Sequence, residues 1–239
     1  LIEHLMLPKN AMNRNEQIIE FRNFLNKEIA AALAELLNIQ TDQNRKHLQK
    51  LVYANLVDRF DYFLDKFLLS SSDNPILKDM FLKTKEADKV TERKFYEVIL
   101  SEKETILAGL EEDFKTFIRS EKLKERHARK LEIILESFGM PKKTYLDSRV
   151  NSSTGEILSK RKKHKSIPQS LKGYVDWLYC RRNALVHGGN TRELTPTDLK
   201  TLNSEYKVDC AKSINITMGS IKTAKKFYLG LVAQIEKFA

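Results

Sequence analysis

The sequence predicts an all-α protein, a helical bundle of six or seven helices, and three observations support this fold class. Apolar residues recur every three or four positions over most of the chain, which is the spacing of a helix face. Only 8 glycines and 5 prolines occur in 239 residues, so long segments lack the residues that interrupt helices. Residues typical of helix ends flank these segments. We therefore interpret residues 1–239 as a single helical domain, with residues 1–45 as an N-terminal helical extension and residues 142–168 as a polar, basic connection.

The N-terminal part contains two strongly patterned helices, over residues 16–38 and 48–69. The second helix carries phenylalanines on one face and Asp58, Asp61 and Asp65 on the other. We interpret the aspartates as a solvated helix face. The alternative is that Asp58 or Asp61 approaches a cleft and pairs with an arginine.

The middle of the chain gives weaker signals. Segment 76–91 is rich in lysine, and we expect a loop or a short irregular helix there. The capping-box pattern "SEKE" at 101–104 predicts the start of a helix. Ser120 is predicted to cap the following helix, and Gly139 is predicted to end it in the left-handed conformation.

The C-terminal part is predicted to contain three helices. The first covers about 168–187 and ends before two glycines. Thr195 is the predicted N-cap of the second, with Pro196 at its first position. The stretch "INIT" at 214–217 alternates and is predicted to be extended, and Thr217 is the predicted N-cap of the last helix.

Charge and composition narrow the function classes. Lys plus Arg is 42 against 32 for Asp plus Glu, a net charge of +10 that suits a polyanionic partner such as RNA. The alternative explanation of the positive charge is that the excess lysines only keep the protein soluble. The two cysteines form neither a disulfide framework nor a CxxC pair. We find no signal peptide, and the longest apolar run, 29–37, is too short to span a bilayer. We expect a cytoplasmic, reduced chain, whose natural start lies upstream because residue 1 is leucine.

Several enzyme classes lack their motifs. The sequence has no P-loop, H-E-x-x-H or G-x-G-x-x-G pattern. The "HGG" at 187–189 has no accompanying G-x-S-x-G, which argues against a hydrolase triad. We see no metal-ligand cluster, so we expect neither a metal nor a cofactor.

The most informative stretch is "YCRRNALVHGGN", residues 179–190. Arg182 falls in the apolar stripe of its helix, where an unpaired guanidinium is costly to bury. Either it pairs with a buried carboxylate, or the stripe opens into a cleft that needs positive charge. Asn183 and His187 are four residues apart and share a face, whereas Arg182 and His187 point roughly 140° apart around an ideal helix.

The stretch "RRNALVHG" resembles the Arg-Asn-x3-His signature of the HEPN family, the higher eukaryotes and prokaryotes nucleotide-binding domains. The order of helices over most of residues 45–239 is similar to the RiboL-PSP-like HEPN subgroup. The resemblance implies that Arg182, Asn183 and His187 are the site residues. Arg181 satisfies a longer spacing to the histidine, so both arginines remain candidates. Some family toxins have a tyrosine two residues after the histidine, where this chain has Gly189.

The resemblance also implies a function. Family members are helical bundles that often dimerise, and many are metal-independent ribonucleases of bacterial toxin–antitoxin or antiviral defence systems. Others only bind. The expected function is therefore RNA endonuclease, with a homodimer and an antitoxin or defence partner. The first alternative is a non-catalytic HEPN module that binds RNA, a nucleotide or a partner protein, and the second is a helical interaction domain with a chance motif.

The residue types fit RNA cleavage. RNA breaks when a base removes the 2′-OH proton and that oxygen attacks the adjacent phosphorus. Histidine suits this proton transfer near neutral pH, and arginine can stabilise the charge on the phosphorane with a planar, forked grip. Asparagine can orient the imidazole or hold a phosphate oxygen.

Other basic and aromatic side chains have two interpretations each. The run at 160–165 either holds an RNA backbone or is a solvated loop. His4, His47 and His127 are predicted to lie on the surface, and Trp177 and Tyr174 are predicted to be core residues rather than base-stacking platforms. The predicted RNA contacts are Arg181, Lys160, Arg161, Lys162, Lys163 and Lys165.

Overall fold

The computed structural model describes residues 14–84, 103–187 and 193–238, and within them the fold is an all-helical bundle, which confirms the predicted fold class. The only β pairing in these ranges is two isolated bridges, Val150 with Ile157 and Glu193 with Ser213. The α-helices are α1 (Arg14–Asn23), α2 (Ile29–Asn38), α3 (Asp42–Leu69), α4 (Pro75–Leu82), α5 (Lys103–Phe117), α6 (His127–Ser137), α7 (Lys142–Leu146), α8 (Leu171–His187), α9 (Pro196–Tyr206) and α10 (Met218–Phe238).

Helix α3 is the central element, because α1, α2, α6, α8 and α10 all pack against it. Its apolar face supplies fully buried aromatic rings to the core, among them Phe60, which stacks on Tyr228 of α10 with ring centroids 4.4 Å apart. Tyr53 of α3 donates a hydrogen bond to the carbonyl oxygen of Leu178 in α8. The core thus fixes α8 against α3.

A second, smaller core joins α8 to α9 and to the segment after α9. It contains Cys180 and Ala184 of α8 with Leu202 and Cys210. Both cysteines are buried free thiols. None of the described helices is both long and apolar enough to cross a membrane.

The first predicted helix, 16–38, is interrupted by one π-helical turn, Phe24–Glu28, between α1 and α2. The turn adds a residue and shifts the helical phase, so that the neighbouring Phe24 and Leu25 are both buried. The predicted irregular segment 76–91 begins as α4, where Asn74 Oδ1 accepts hydrogen bonds from the N–H groups of Ile76 and Leu77. Its remainder from residue 85, and the first half of the capping box at 101–102, lie outside the described residues.

The prediction that Ser120 caps a helix is wrong. A π-helical segment, Ile118–Lys122, prolongs α5 through this position, and Ser120 Oγ donates to the carbonyl oxygen of Phe117. Helix α6 begins instead at His127. The π turn explains the error, because a pattern of apolar spacing does not show where a helix widens rather than ends.

Other predicted helix ends are confirmed. Gly139 has φ 77°, and the N–H of Met140 returns to the carbonyl oxygen of Leu135 at 2.8 Å. Thr195 Oγ1 accepts from the N–H of Asp198 at 3.1 Å, and Thr217 Oγ1 accepts from the N–H of Ser220 at 3.2 Å.

The region 142–168 is mostly irregular but contains the short helix α7, and 214–217 forms no strand. Ile214 and Ile216 are buried while their neighbours are exposed. The alternation predicted from sequence is real, but the described residues contain no strand that pairs with this segment.

Two glycines with the same backbone conformation allow a test of the packing. Gly139 and Gly155 have φ 77° and 76°, but a Cβ on Gly155 would lie 2.1 Å from the carbonyl oxygen of Thr223, whereas one on Gly139 would meet nothing within 4 Å. Gly139→Ala should therefore lower the free energy of unfolding by about 1 kcal/mol, the left-handed penalty alone. Gly155→Ala should cost ~3 kcal/mol or more, because α10 must also shift. Chemical denaturation measures both, and equal losses would contradict the close packing of this loop on α10.

Candidate functional site

The aspartate face of α3 is covered by two other helices. Asp58, Asp61 and Asp65 form ion pairs with side chains of α6 and α8. The interpretation of a solvated face is therefore wrong for Asp61 and Asp65, whereas the paired Asp58 still faces solvent in part. We call these three aspartates, together with Arg182, His127 and Lys130, the polar seam. The alternative that Asp58 pairs with an arginine describes the structure. The spacing of apolar residues fixes the direction in which the aspartates point, but not which helices pack there.

Arg182 occupies one end of the polar seam. Its Nε lies 2.7 Å from Asp58 Oδ1 and its Nη2 donates to Asp58 Oδ2 at 3.0 Å, while Nη1 donates to the side-chain oxygen of Asn183 at 3.2 Å. The Arg182 side chain remains 21% exposed and that of Asp58 45%. A guanidinium has five N–H groups, so one on Nη1 and one on Nη2 are left for a ligand. Two protein contacts thus fix the plane of Arg182 without using all of its donors.

His127 and Lys130 of α6 occupy the middle and the other end of the polar seam. The Lys130 side chain is 4% exposed, and its Nζ lies 2.8 Å from Asp61 and 2.7 Å from Asp65. His127 Nε2 lies 3.1 Å from Asp61 Oδ1, and its ring packs on Tyr179 with centroids 3.8 Å apart.

The prediction that His127 lies on the surface is wrong, because this residue is only 5% exposed. The helical spacing contained a signal for its burial. His127 is four residues before Leu131 and seven before Ile134, both fully buried on the inner face of α6.

The ionisation of the polar seam follows from its contacts. Burial raises the pKa of Asp61, but hydrogen bonds and charge from His127 and Lys130 outweigh burial and place the pKa below its ordinary value. Burial lowers the pKa of Lys130, but its two aspartates more than compensate, so the pKa lies above the ordinary lysine value. For Asp65, burial together with the charge of Asp61 leaves the pKa above its ordinary value.

The two candidate arginines have different surroundings. Arg181 is 8% exposed, its guanidinium lies over the ring of Trp177 at 4.4 Å, and its Nη2 donates to the carbonyl oxygen of Asn215 at 2.7 Å. This burial favours a structural role for Arg181 over the predicted RNA contact. Tyr174 is fully buried and Trp177 packs against both cores, so the core interpretation of these rings is confirmed.

His187 is the last residue of α8 and is exposed to solvent. The helix is continuous from Leu171, so Arg182 and His187 point roughly 140° apart within one chain. The structure therefore brings the side chains of Arg182 and Asn183 together, whereas His187 lies on a different face from Arg182. The glycines that follow, and with them Gly189, lie outside the described residues.

The basic run of residues 160–165 is fixed to the body of the protein. The N–H of Arg161 donates to Ser148 at 2.8 Å, and the N–H of His164 donates to the side chain of Gln169 at 2.7 Å. The carbonyl oxygen of Lys165 accepts from the N–H of Asp209 at 2.7 Å. Lys160, Lys162, Lys163 and Lys165 are exposed, and Arg161 is half-buried.

The basic run lies at the N-terminal end of α8, whereas His187 ends the same helix. The helix length separates the two ends by roughly 24 Å at 1.5 Å per residue. The predicted RNA contacts of the run are therefore remote from the motif within one chain.

A partly buried network that the sequence did not reveal ties the start of α6 to α8 and α9. Arg126 Nη2 donates to Asp176 at 3.0 Å and to Cys180 Sγ at 3.3 Å, and Tyr206 donates to the second oxygen of Asp176 at 3.2 Å. Burial raises the pKa of Asp176 despite the nearby Arg126. Asp176 lies one turn before Cys180, on the side of α8 that faces the second core, and its two partners come from distant segments.

Within the described ranges, no three side chains among His, Cys, Asp and Glu are grouped to hold a metal ion. No family model matches the chain, and no match is found among the curated proteins or the solved structures compared with it. The resemblance to HEPN domains thus rests on the motif and on the order of the helices.

The polar seam predicts a pH-dependent stability. Asp61→Asn should lower the free energy of unfolding by about 2 kcal/mol at pH 7, because it removes a charge that His127 and Lys130 contact inside the protein. Since the pKa of Asp61 is lowered by folding, its contribution is present above the unfolded value near ~4 and disappears as pH falls through the folded value. Urea denaturation of wild type and variant should therefore converge at low pH.

The control is Asp73→Asn, which breaks an exposed pair with Arg14. It should cost less than about 0.5 kcal/mol at any pH. A loss at Asp61 no larger than at Asp73 would mean that the polar seam does not stabilise the packing of α6 on α3.

Proposed function

We propose that this chain is a metal-independent RNA endonuclease of the HEPN type, in which Arg182, Asn183 and His187 act at a site shared by two copies. The observation that carries the proposal is the way Arg182 is held. Asp58 and Asn183 fix its guanidinium at the border of the protein, and one N–H on each terminal nitrogen is left to bind a phosphate oxygen.

The proposed reaction uses each side chain for one task. His187 accepts the proton of a 2′-OH, and that oxygen bonds to the adjacent phosphorus as the bond from phosphorus to the 5′-oxygen breaks. Arg182 stabilises the negative charge that develops on the phosphorane oxygens. The departing 5′-oxygen takes a proton from a second acid, for which a second His187 is the candidate. The products are a 2′,3′-cyclic phosphate and a 5′-hydroxyl.

A two-fold dimer supplies what one chain lacks. The continuous helix keeps Arg182 and His187 on different faces of one copy, whereas facing copies of α8 place two of each residue around one groove. The repulsion between two arginines is reduced because each is paired with Asp58. Val186, beside His187, is 48% exposed and offers apolar surface for such a contact.

The alternative function is a non-catalytic HEPN module that binds RNA, a nucleotide or a partner protein. The same ion pair favours it, because Asp58 offsets the charge of Arg182 and serves a purely structural purpose equally well. Measurement of RNA cleavage separates the two. A role in toxin or antiviral defence, with an antitoxin or other defence partner, is part of the proposal and rests on the family resemblance alone.

The proposed chemistry predicts a specific product. Incubated with total cellular RNA, the protein should leave 2′,3′-cyclic phosphate ends, remain active in EDTA and spare DNA, which has no 2′-OH. His187→Ala should abolish cleavage and change the free energy of unfolding by less than about 0.5 kcal/mol, since the side chain is exposed. The exposed His47 provides the matched control, and His47→Ala should cleave normally.

The two neighbouring arginines should separate function from stability. Arg182→Lys should cleave at least about tenfold more slowly, because an ammonium lacks the forked grip. Arg181→Lys should instead lower the melting temperature and leave cleavage intact, because Arg181 serves the interior. Activity that requires Mg²⁺, or normal cleavage by Arg182→Lys, would contradict the mechanism.

The shared site predicts a homodimer. Light scattering should give about twice the chain mass of 27.8 kDa. Val186→Asp places a charge in the proposed contact and should yield an inactive monomer. Leu37→Asp alters another exposed apolar residue, at the end of α2, and should leave a dimer. A wild-type monomer that still cleaves RNA would refute the shared site.

A further inference from the structure

A cavity of about 380 Å³ opens at the N-terminal end of α8, remote from the motif. Its walls come from the basic run, the end of α7, the first turn of α8 and the end of α9. Its volume falls in the range of small-molecule sites in proteins. Apolar side chains of Leu146, Ile167 and Val208 line part of it, so the cavity also suits the body of an organic ligand.

The charged side chains that line the cavity leave one positive charge in excess, since Lys163, Lys172 and Lys207 outnumber Asp147 and Glu205. Lys172 is neutralised by Glu132 at 3.0 Å and Glu205 at 3.2 Å. Lys163 and Lys207 also line the cavity, and within the described part of the chain neither has an ion-pair partner. Asp147, the remaining acidic residue of the lining, balances only one of these charges. The cavity therefore favours an anion.

Neutral donors add to this preference. His164 Nδ1 accepts the N–H of Ser166 at 3.1 Å, so a neutral His164 ring carries its proton on Nε2 as a donor. Ser170 Oγ accepts from the N–H of Gly173, which leaves the hydroxyl proton free, and Ser148 also lines the cavity. Each of these three side chains can donate one hydrogen bond to a terminal oxygen of a phosphate monoester.

The walls of the cavity are fixed before any ligand binds. The hydrogen bond between Asp209 N–H and the carbonyl oxygen of Lys165 joins the basic run to the segment after α9. The side chain of Gln169 is 3% exposed, accepts from His164 and donates to the carbonyl oxygen of Val150. Holding a run of like charges in one conformation costs repulsion that a bound dianion would relieve.

We propose that this cavity binds a phosphate monoester, with Lys163 and Lys207 on the phosphate. The ester is either the 5′-phosphate end of an RNA strand or a small phosphorylated compound, since both carry the same dianionic group. Only the RNA source rests on the proposed function. A site at the N-terminal end of α8 would then recognise the 5′-phosphate end of an RNA, or a small phosphorylated compound, separately from cleavage.

The test compares two uncleavable 2′-O-methyl RNA oligomers of one sequence, one with a 5′-phosphate and one with a 5′-hydroxyl. Fluorescence anisotropy with the wild-type protein should show about fivefold tighter binding of the phosphorylated strand. In parallel, inorganic phosphate and glycerol phosphate should raise the melting temperature. The site variant is Lys163→Gln with Lys207→Asn, because asparagine tolerates the left-handed backbone at this position, φ 52°.

The matched control removes the same amount of charge, Lys160→Gln with Lys162→Gln, from two residues of the basic run that lie outside the cavity. Both double variants weaken RNA binding in general, so the ratio between the two strands is the readout. A ratio lost only in the site variant identifies the RNA end. If the two strands bind equally well, but the phosphates stabilise the wild type and the control and not the site variant, the ligand is a small compound. The proposal is overturned if the two strands bind equally well and phosphate does not raise the melting temperature, or if both double variants lose the effect equally. This conclusion does not depend on the outcome for cleavage.

Discussion

Pairing of three partly buried carboxylates on one face of α3 is the constraint on which the rest of the structure depends. Carboxylates leave water only beside cations or hydrogen-bond donors, so α6 and α8 must present Lys130, His127 and Arg182 to this face. The apolar side of α3 packs into the core, and its aspartate side requires cationic or hydrogen-bonding residues on the helices that pack against it. The register of α8 against α3 follows from both.

This constraint also produces the candidate site. Asp58 and Arg182 are 124 residues apart in sequence, yet their contact fixes a guanidinium at the edge of the protein with donors to spare. The same contact links α8 to α3 and, in the proposed function, orients the group that binds phosphate. Structure and proposed function are thus coupled through one ion pair, while His187, exposed at the end of α8, contributes little to the fold.

The sequence predicted those features that depend on local chemistry. The caps at Thr195 and Thr217 and the left-handed Gly139 are properties of a few neighbouring residues, and the structure contains them. The all-α class followed from apolar spacing over the whole chain. The position of Arg182 in an apolar stripe predicted a buried carboxylate partner or a cleft, and the structure provides a carboxylate, Asp58, that is only partly buried.

Features that depend on distant segments were not predictable in the same way. Helical phase gives the direction of Asp61 and His127, but the pairing of α3 with α6 decides that they meet. The π turn at Ile118–Lys122 leaves no mark in the apolar spacing, and the cap predicted at Ser120 failed for that reason. The cavity beside the basic run arises from hydrogen bonds between loops, for which the sequence has no periodic signal.

The most direct test of this account is a double-mutant cycle between Asp58→Asn and Arg182→Gln, measured both as RNA cleavage rate and as free energy of unfolding. If Asp58 holds Arg182 for the reaction, Asp58→Asn should slow cleavage about tenfold in the wild-type background and have no further effect beside Arg182→Gln, which removes the charge that Asp58 contacts. The coupling in unfolding free energy should be about 1 kcal/mol, as for a partly exposed pair. Additive effects in both measurements would show that the ion pair neither positions Arg182 nor links α8 to α3.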